Sequence, residues 1–120
     1  MALTLYGIPN CDTMKKARAF LEQHNIPYAF HDYKKASIDT ATLERWSKTT
    51  GMQTLLNMRG TTWRKLDDAE RANLTDAKAL RLMQAQPSLI KRPVLEGEVK
   101  NQKLLLVGFD APQWESLLLH

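Results

Sequence analysis

Cysteine occurs once in these 120 residues, at position 11. A single thiol excludes an intramolecular disulfide, and the three histidines, His24, His31 and His120, offer no pair at metal-ligand spacing. No metal site is therefore expected, and the core must hold by packing alone. Long apolar runs are also missing: nothing approaches the roughly 18 to 20 residues of a membrane span. The start, Met1-Ala2-Leu3-Thr4-Leu5-Tyr6, shows no basic leader followed by an apolar stretch. We expect a cytoplasmic protein, in a compartment where a lone thiol stays reduced, with no membrane contact. A sustained basic stripe is lacking as well. The net charge is +4, but Lys and Arg are dispersed among acids, which argues against direct nucleic-acid binding. A modest positive field instead favours the approach of small anions. The length and a 43% hydrophobic content fit one domain, which we read as a monomer.

Leu3-Thr4-Leu5-Tyr6 reads as a strand closed by Gly7 and Pro9. From Asp12 to Asn25, Met14, Ala17 and Leu21 recur at helical spacing, and Pro27 ends the segment. Strand character resumes over Tyr28 to Tyr33, giving the strand, helix, strand order of a parallel pair. Residues 37 to 51 predict a helix with Leu43 and Trp46 on one face and Gly51 as its stop. Asn57 to Arg64 shows turn residues without a period, and Thr75 to Gln86 is helical through Ala79, Leu82 and Met83. Residues 37 to 86 thus read as an inserted helical section. Val94 to Glu96 and Lys103 to Val107 predict two strands joined by a turn containing Gly97. Asp110, Pro112 and Gln113 open a last helix, with Leu117 and Leu118 to seat it on the sheet.

Cys11 falls just after a strand-ending turn, at the first turn of a helix. Unpaired N–H groups and the helix dipole there favour an anion and lower a thiol's pKa. Lys15, four residues on, adds a cation on the same face, while Asp12 opposes it but can pair with Lys16. The alternative is a cysteine packed as a small inert hydrophobe. Asn10 and Thr13 flank the thiol and either donate to a bound anion or cap the helix. Trp46, Trp63 and Trp114 read as packing residues, and neither His24 nor His31 pairs with Cys11 as a Cys–His dyad would. Arg92-Pro93, far downstream, reads on its own as the start of an edge strand beside a surface charge.

Gly7-Ile8-Pro9-Asn10-Cys11-Asp12-Thr13-Met14-Lys15-Lys16-Ala17, taken with Lys91-Arg92-Pro93-Val94, resembles the arsenate reductase (ArsC) family, particularly its Spx and YffB-like branch. The likeness spans essentially the whole chain and extends to Ile26-Pro27-Tyr28, Gln86-Pro87 and Val107-Gly108-Phe109. The Arg59-Gly60-Thr61-Thr62-Trp63-Arg64-Lys65-Leu66 stretch is closest to the YffB-like proteins. The resemblance implies an α/β, thioredoxin-like (glutaredoxin-like) mixed sheet of about four strands carrying the helical insertion. It also implies a cis Arg92-Pro93 bond opposite Cys11, with Pro93 shaping a ligand groove and Arg92 placing a guanidinium fork beside the sulfur.

Arsenate reductases of the family surround their oxyanion with a cysteine and three arginines. Cys11 and Arg92 match; the second arginine position holds Asn57, with Arg59 two residues away, and the third holds Gly108. Arg59 either lines the site from a different register or is a solvated surface residue. Spx-type regulators, which bind the RNA polymerase α-subunit, carry a Cys-x-x-Cys switch whose second position is Met14 here. A one-cysteine protein must take its second thiol from outside, from glutathione or a glutaredoxin-like donor. The YffB-like branch implies a glutathione-dependent thiol reductase with Cys11 as nucleophile. Asn10, Thr13, Lys15, Arg59, Arg92 and Pro93 are then the candidate substrate-binding residues.

Overall fold

The computed structural model describes residues 2–119, so His120 lies outside the described residues. The chain forms two compact units. One is built from the chain up to Asp32 and from Arg92 onward, and the other from Tyr33–Lys91.

The first unit is a four-stranded mixed sheet. Its strands are β1 (Ala2–Gly7), β2 (Ala29–Asp32), β3 (Val94–Val99) and β4 (Gln102–Val107), in the order β2-β1-β3-β4. β1 runs parallel to β2, whereas β1 with β3 and β3 with β4 are antiparallel. This is the thioredoxin-like arrangement. The register places Phe30, Leu5, Leu95 and Leu106 in one row across all four strands. Because side chains alternate along a strand, the row lies on a single face. The helices α1 (Asp12–Gln23) and, after β4, Ala111–Leu119 contribute to the same core through Met14, Ala17, Phe20, Leu21, Trp114 and Leu118. Each fully buried Leu or Met of this kind contributes about 1.5 to 3 kcal/mol.

α1 ends where Asn25 turns left-handed, at φ 55°. Ile26 N–H donates to the Leu21 carbonyl at 2.9 Å and Asn25 N–H to that of Glu22 at 3.2 Å. These paired bonds satisfy the helix's last carbonyls and set Ile26 back against Leu21, two residues before Pro27 could act. The second strand is shorter than Tyr28 to Tyr33, since Tyr33 already belongs to a helical turn.

Gly97 does not form the hairpin turn; it lies inside β3. The turn is Lys100-Asn101, both at positive φ (54° and 66°), as the twist of a two-residue hairpin demands. Gly97 answers a different need, because a Cβ there would stand 1.9 Å from the Ala2 carbonyl oxygen. The last helix is seated by Trp114 and Leu118, one turn apart, and Leu117 is exposed at 42%. Leu117 and Leu118 are about 100° apart around the helix, and of the two only Leu118 falls on the buried side.

The helical unit contains α2 (Tyr33–Ala36), α3 (Thr40–Thr50), α4 (Met52–Leu55), α5 (Thr61–Lys65), α6 (Asp68–Arg71) and α7 (Asp76–Ala85); the last helix of the chain is then α8 (Ala111–Leu119). α3 buries Leu43 and Trp46, and α7 buries Ala79 and Met83. Gln84 ties the two together: its amide donates to the Ile38 carbonyl and its oxygen accepts from the Thr40 hydroxyl at 2.8 Å. The stretch without a period, Asn57 to Arg64, holds most of α5, with α4 just before it and α6 just after it. Each is only about one turn long, too short to display a repeat. Among the described residues no helix is long and apolar enough to cross a membrane.

Candidate functional site

β1 ends at Gly7, and the chain reverses through Ile8, Pro9 and Asn10 to reach α1. Cys11 is the N-cap of that helix, with extended backbone (φ −138°, ψ 131°), and its carbonyl accepts the Lys15 N–H at 3.0 Å. The thiol makes no ordinary side-chain cap bond, consistent with sulfur being a weak acceptor. The same position becomes favourable once the sulfur is charged, because the first-turn N–H groups lack helical partners.

Burial pushes the Cys11 thiol up. The Met14 backbone N–H, a hydrogen bond from the Arg92 guanidinium, the Thr13 backbone N–H and the charge of Arg92 together outweigh it, and the thiol falls below its ordinary value. Arg92 is half-buried and opens the segment that enters β3. The Arg92–Pro93 peptide bond is cis. Pro93 is buried, and its carbonyl accepts the Gly108 N–H at 2.8 Å, which ties the approach to β3 to the end of β4.

Cys11, Thr13, Arg92 and Pro93 belong to the sheet unit, and the structure brings the thiol together with Arg92 and the backbone of Thr13. Asn10, Thr13 and Lys15 have exposed side chains. Thr13 therefore acts through its backbone, and Asn10 does not cap the helix. The cation at the sulfur is Arg92 rather than Lys15. Cys11 is the cap and not a residue inside the helix, so the i,i+4 alignment with Lys15 does not hold its side chain over Lys15. Asp12 and Lys16 form no ion pair among the described residues.

Arg59 belongs to the helical unit and is exposed; its N–H donates to Asn57 Oδ1 at 3.1 Å and its carbonyl accepts Arg64 Nη2 at 2.9 Å. Sequence reasoning passed over Met14 as a contributor. The available signal was its place three residues after the cap, where a backbone N–H points back at the capping side chain. Among the described residues no three His, Cys, Asp or Glu side chains gather as metal ligands.

Residues 6–117 match the ArsC family. An uncharacterized protein of Haemophilus influenzae is 38% identical over 95% of this chain and 96% of its own. The global transcriptional regulator Spx of Enterococcus faecalis is 32% identical over 90% of this chain and 80% of its own. Among solved structures, the YffB protein superposes with a TM-score of 0.88 at 52% identity, covering 97% of this chain and 98% of that one. An arsenate reductase (ArsC) related protein from Brucella melitensis gives 0.73 at 53% identity, covering 98% and 94%.

Proposed function

Because this chain belongs to the ArsC family, we propose that it is a glutathione-dependent thiol reductase in which Cys11 is the nucleophile and an external thiol resolves the intermediate. The observation that supports this reading is the Cys11 sulfur at the N-cap of α1, hydrogen-bonded by Arg92 and held below its ordinary pKa. The Cys11 thiolate attacks one sulfur of an oxidised thiol; a new disulfide forms to Cys11, and the second sulfur leaves as a thiolate that takes up a proton. Glutathione, or a glutaredoxin-like donor, supplies the next thiolate, which attacks the mixed disulfide and releases Cys11 with its electron pair. That attack, at the substrate sulfur, leaves it in a mixed disulfide with the donor; a second donor thiolate attacks this at the donor sulfur and frees the substrate thiol, so that over the cycle one substrate disulfide is reduced and two donor thiols are oxidised to their disulfide. Arg92 and the first-turn N–H groups act in both halves, since a stabilised thiolate is also a better leaving group. Asn10, Thr13 and Lys15, exposed around the start of α1, are the proposed contacts for an anionic thiol compound that approaches the sulfur.

Mass spectrometry after exposure to oxidised glutathione tests the reading. One glutathione adduct is expected on the wild type, removable by reduced glutathione and absent from Cys11→Ser. No adduct under conditions that modify ordinary thiols would remove the assignment.

The Spx relatives favour a second reading, a regulator that binds RNA polymerase through its α-subunit. Met14 in place of a second cysteine speaks against a disulfide switch but not against binding. Saturable capture of purified α-subunit that survives Cys11→Ser, with no glutathione-linked turnover, would select it. The likeness to an ArsC-related protein makes arsenate reduction a third reading, and a coupled assay with glutathione and glutaredoxin decides it. Asn57 and Gly108 at two arginine positions weigh against it.

A further inference from the structure

Gly7 and Met14 are seven residues apart and meet where β1 gives way to α1. Both are buried, and Met14 is fully so. A Cβ built on Gly7 would stand 2.3 Å from the Met14 sulfur and 2.6 Å from its Cε, with Cγ at 3.3 Å. The methionine therefore occupies the space that any side chain at position 7 would fill. Its end cannot swing aside freely, because Met14 is enclosed within the core cluster that contains Leu5, Ala17 and Leu21. Met14 is also the third residue after the Cys11 cap, so its side chain and its N–H are fixed by one short turn of helix.

We propose that Gly7 and Met14 are positioning residues for Cys11: the notch left by the missing side chain at Gly7 seats the Met14 thioether and so holds the first turn of α1 with its amide facing the sulfur. The inference rests on the reading of Cys11 as a thiolate nucleophile and adds the device that aims it. The Met14 N–H is one of the groups that favour the charged thiol, so loosening this turn should register at the sulfur.

The test is the pH profile of Cys11 alkylation by iodoacetamide in the full chain. Gly7→Ala and Met14→Ala should raise the midpoint by about half a pH unit or more, slowing alkylation near pH 6.5 by about threefold. Met14→Leu, which keeps the buried bulk, should retain the wild-type midpoint. Leu118→Ala, a truncation elsewhere in the same core, should lower Tm and leave the midpoint in place. Met14→Val serves if Met14→Ala does not fold. Lower Tm in the Gly7 and Met14 variants with an unmoved midpoint would overturn the proposal, because the pair would then be packing alone. An ordinary midpoint in the wild type would overturn the thiolate reading itself, a separate and distinguishable result.

Discussion

Two kinds of helix start in this molecule put different atoms at the same position. α3 begins at Asp39, whose Oδ1 accepts the Thr42 N–H at 2.8 Å; α7 begins at Thr75 and α6 at Asp67 with comparable bonds. α8 begins likewise at Asp110, whose carboxylate accepts from Gln113 at 3.3 Å. α1 begins at Cys11, which makes no ordinary cap bond and sits instead beside Arg92. An oxygen cap is worth about 1 kcal/mol to a helix, so α1 forgoes that stabilisation. Its first-turn N–H groups remain directed at a sulfur that uses them only when ionised. The oxygen caps hold structure, whereas the sulfur cap holds a reactive charge.

Cys11→Ser breaks the contrast most completely by giving α1 an oxygen cap like those of α3, α6, α7 and α8. Mixed-disulfide formation should be lost altogether by mass spectrometry. Urea unfolding should show the Cys11→Ser variant more stable than wild type by up to about 1 kcal/mol at acid pH. That margin should shrink as pH rises. A thiol with a depressed pKa in the folded state contributes stability that is fully present above the unfolded value of about 8.5 and is lost as pH falls through the folded value. Between those limits the unfolded chain binds more protons, so the wild type gains stability with pH and the serine variant does not. A margin that stays constant across pH would contradict the ionised cap.

Arg92→Ala removes the cation and leaves the helix start intact. The alkylation midpoint should rise by about one pH unit, an approximately tenfold loss of rate below it, with Arg92→Lys intermediate because an ammonium restores charge but not the planar fork. An unchanged midpoint would place the whole effect in the backbone N–H groups. Asp39→Ala sharpens the contrast from the other side. It should cost about 1 kcal/mol of stability in urea unfolding and leave Cys11 alkylation where it was.

The sequence revealed what repeats. Met14, Ala17 and Leu21 outlined α1, and Leu43 with Trp46 outlined α3, because each helix is long enough for its buried face to recur. The one-turn helices α4 to α6 carry no period and stayed invisible. Gly97 misled for a different reason: a glycine needed for close strand approach looks the same in sequence as one needed in a turn, and Lys100-Asn101 was free to take the turn. At the site, the spacing of Cys11 identified the helix start, and the family likeness, not periodicity, linked it to Arg92 some 80 residues away. Backbone donors such as the Met14 N–H have no sequence letter of their own and became readable only once the cap position was known.

The smallest effect tests the same point about position. Within a helix, a cation four residues along lies over its partner, and that reasoning makes Lys15 the natural companion of Cys11. Cys11 has extended backbone, however, and Lys15 is exposed, so water screens whatever charge reaches the sulfur. Lys15→Gln should therefore move the alkylation midpoint by no more than about 0.2 pH unit, and raising the salt should change that difference little. A shift approaching that of Arg92→Ala would mean that α1 extends its helical geometry back through Cys11 in solution. The sulfur would then be a first-turn residue rather than a cap, and the contrast with Asp39 would disappear.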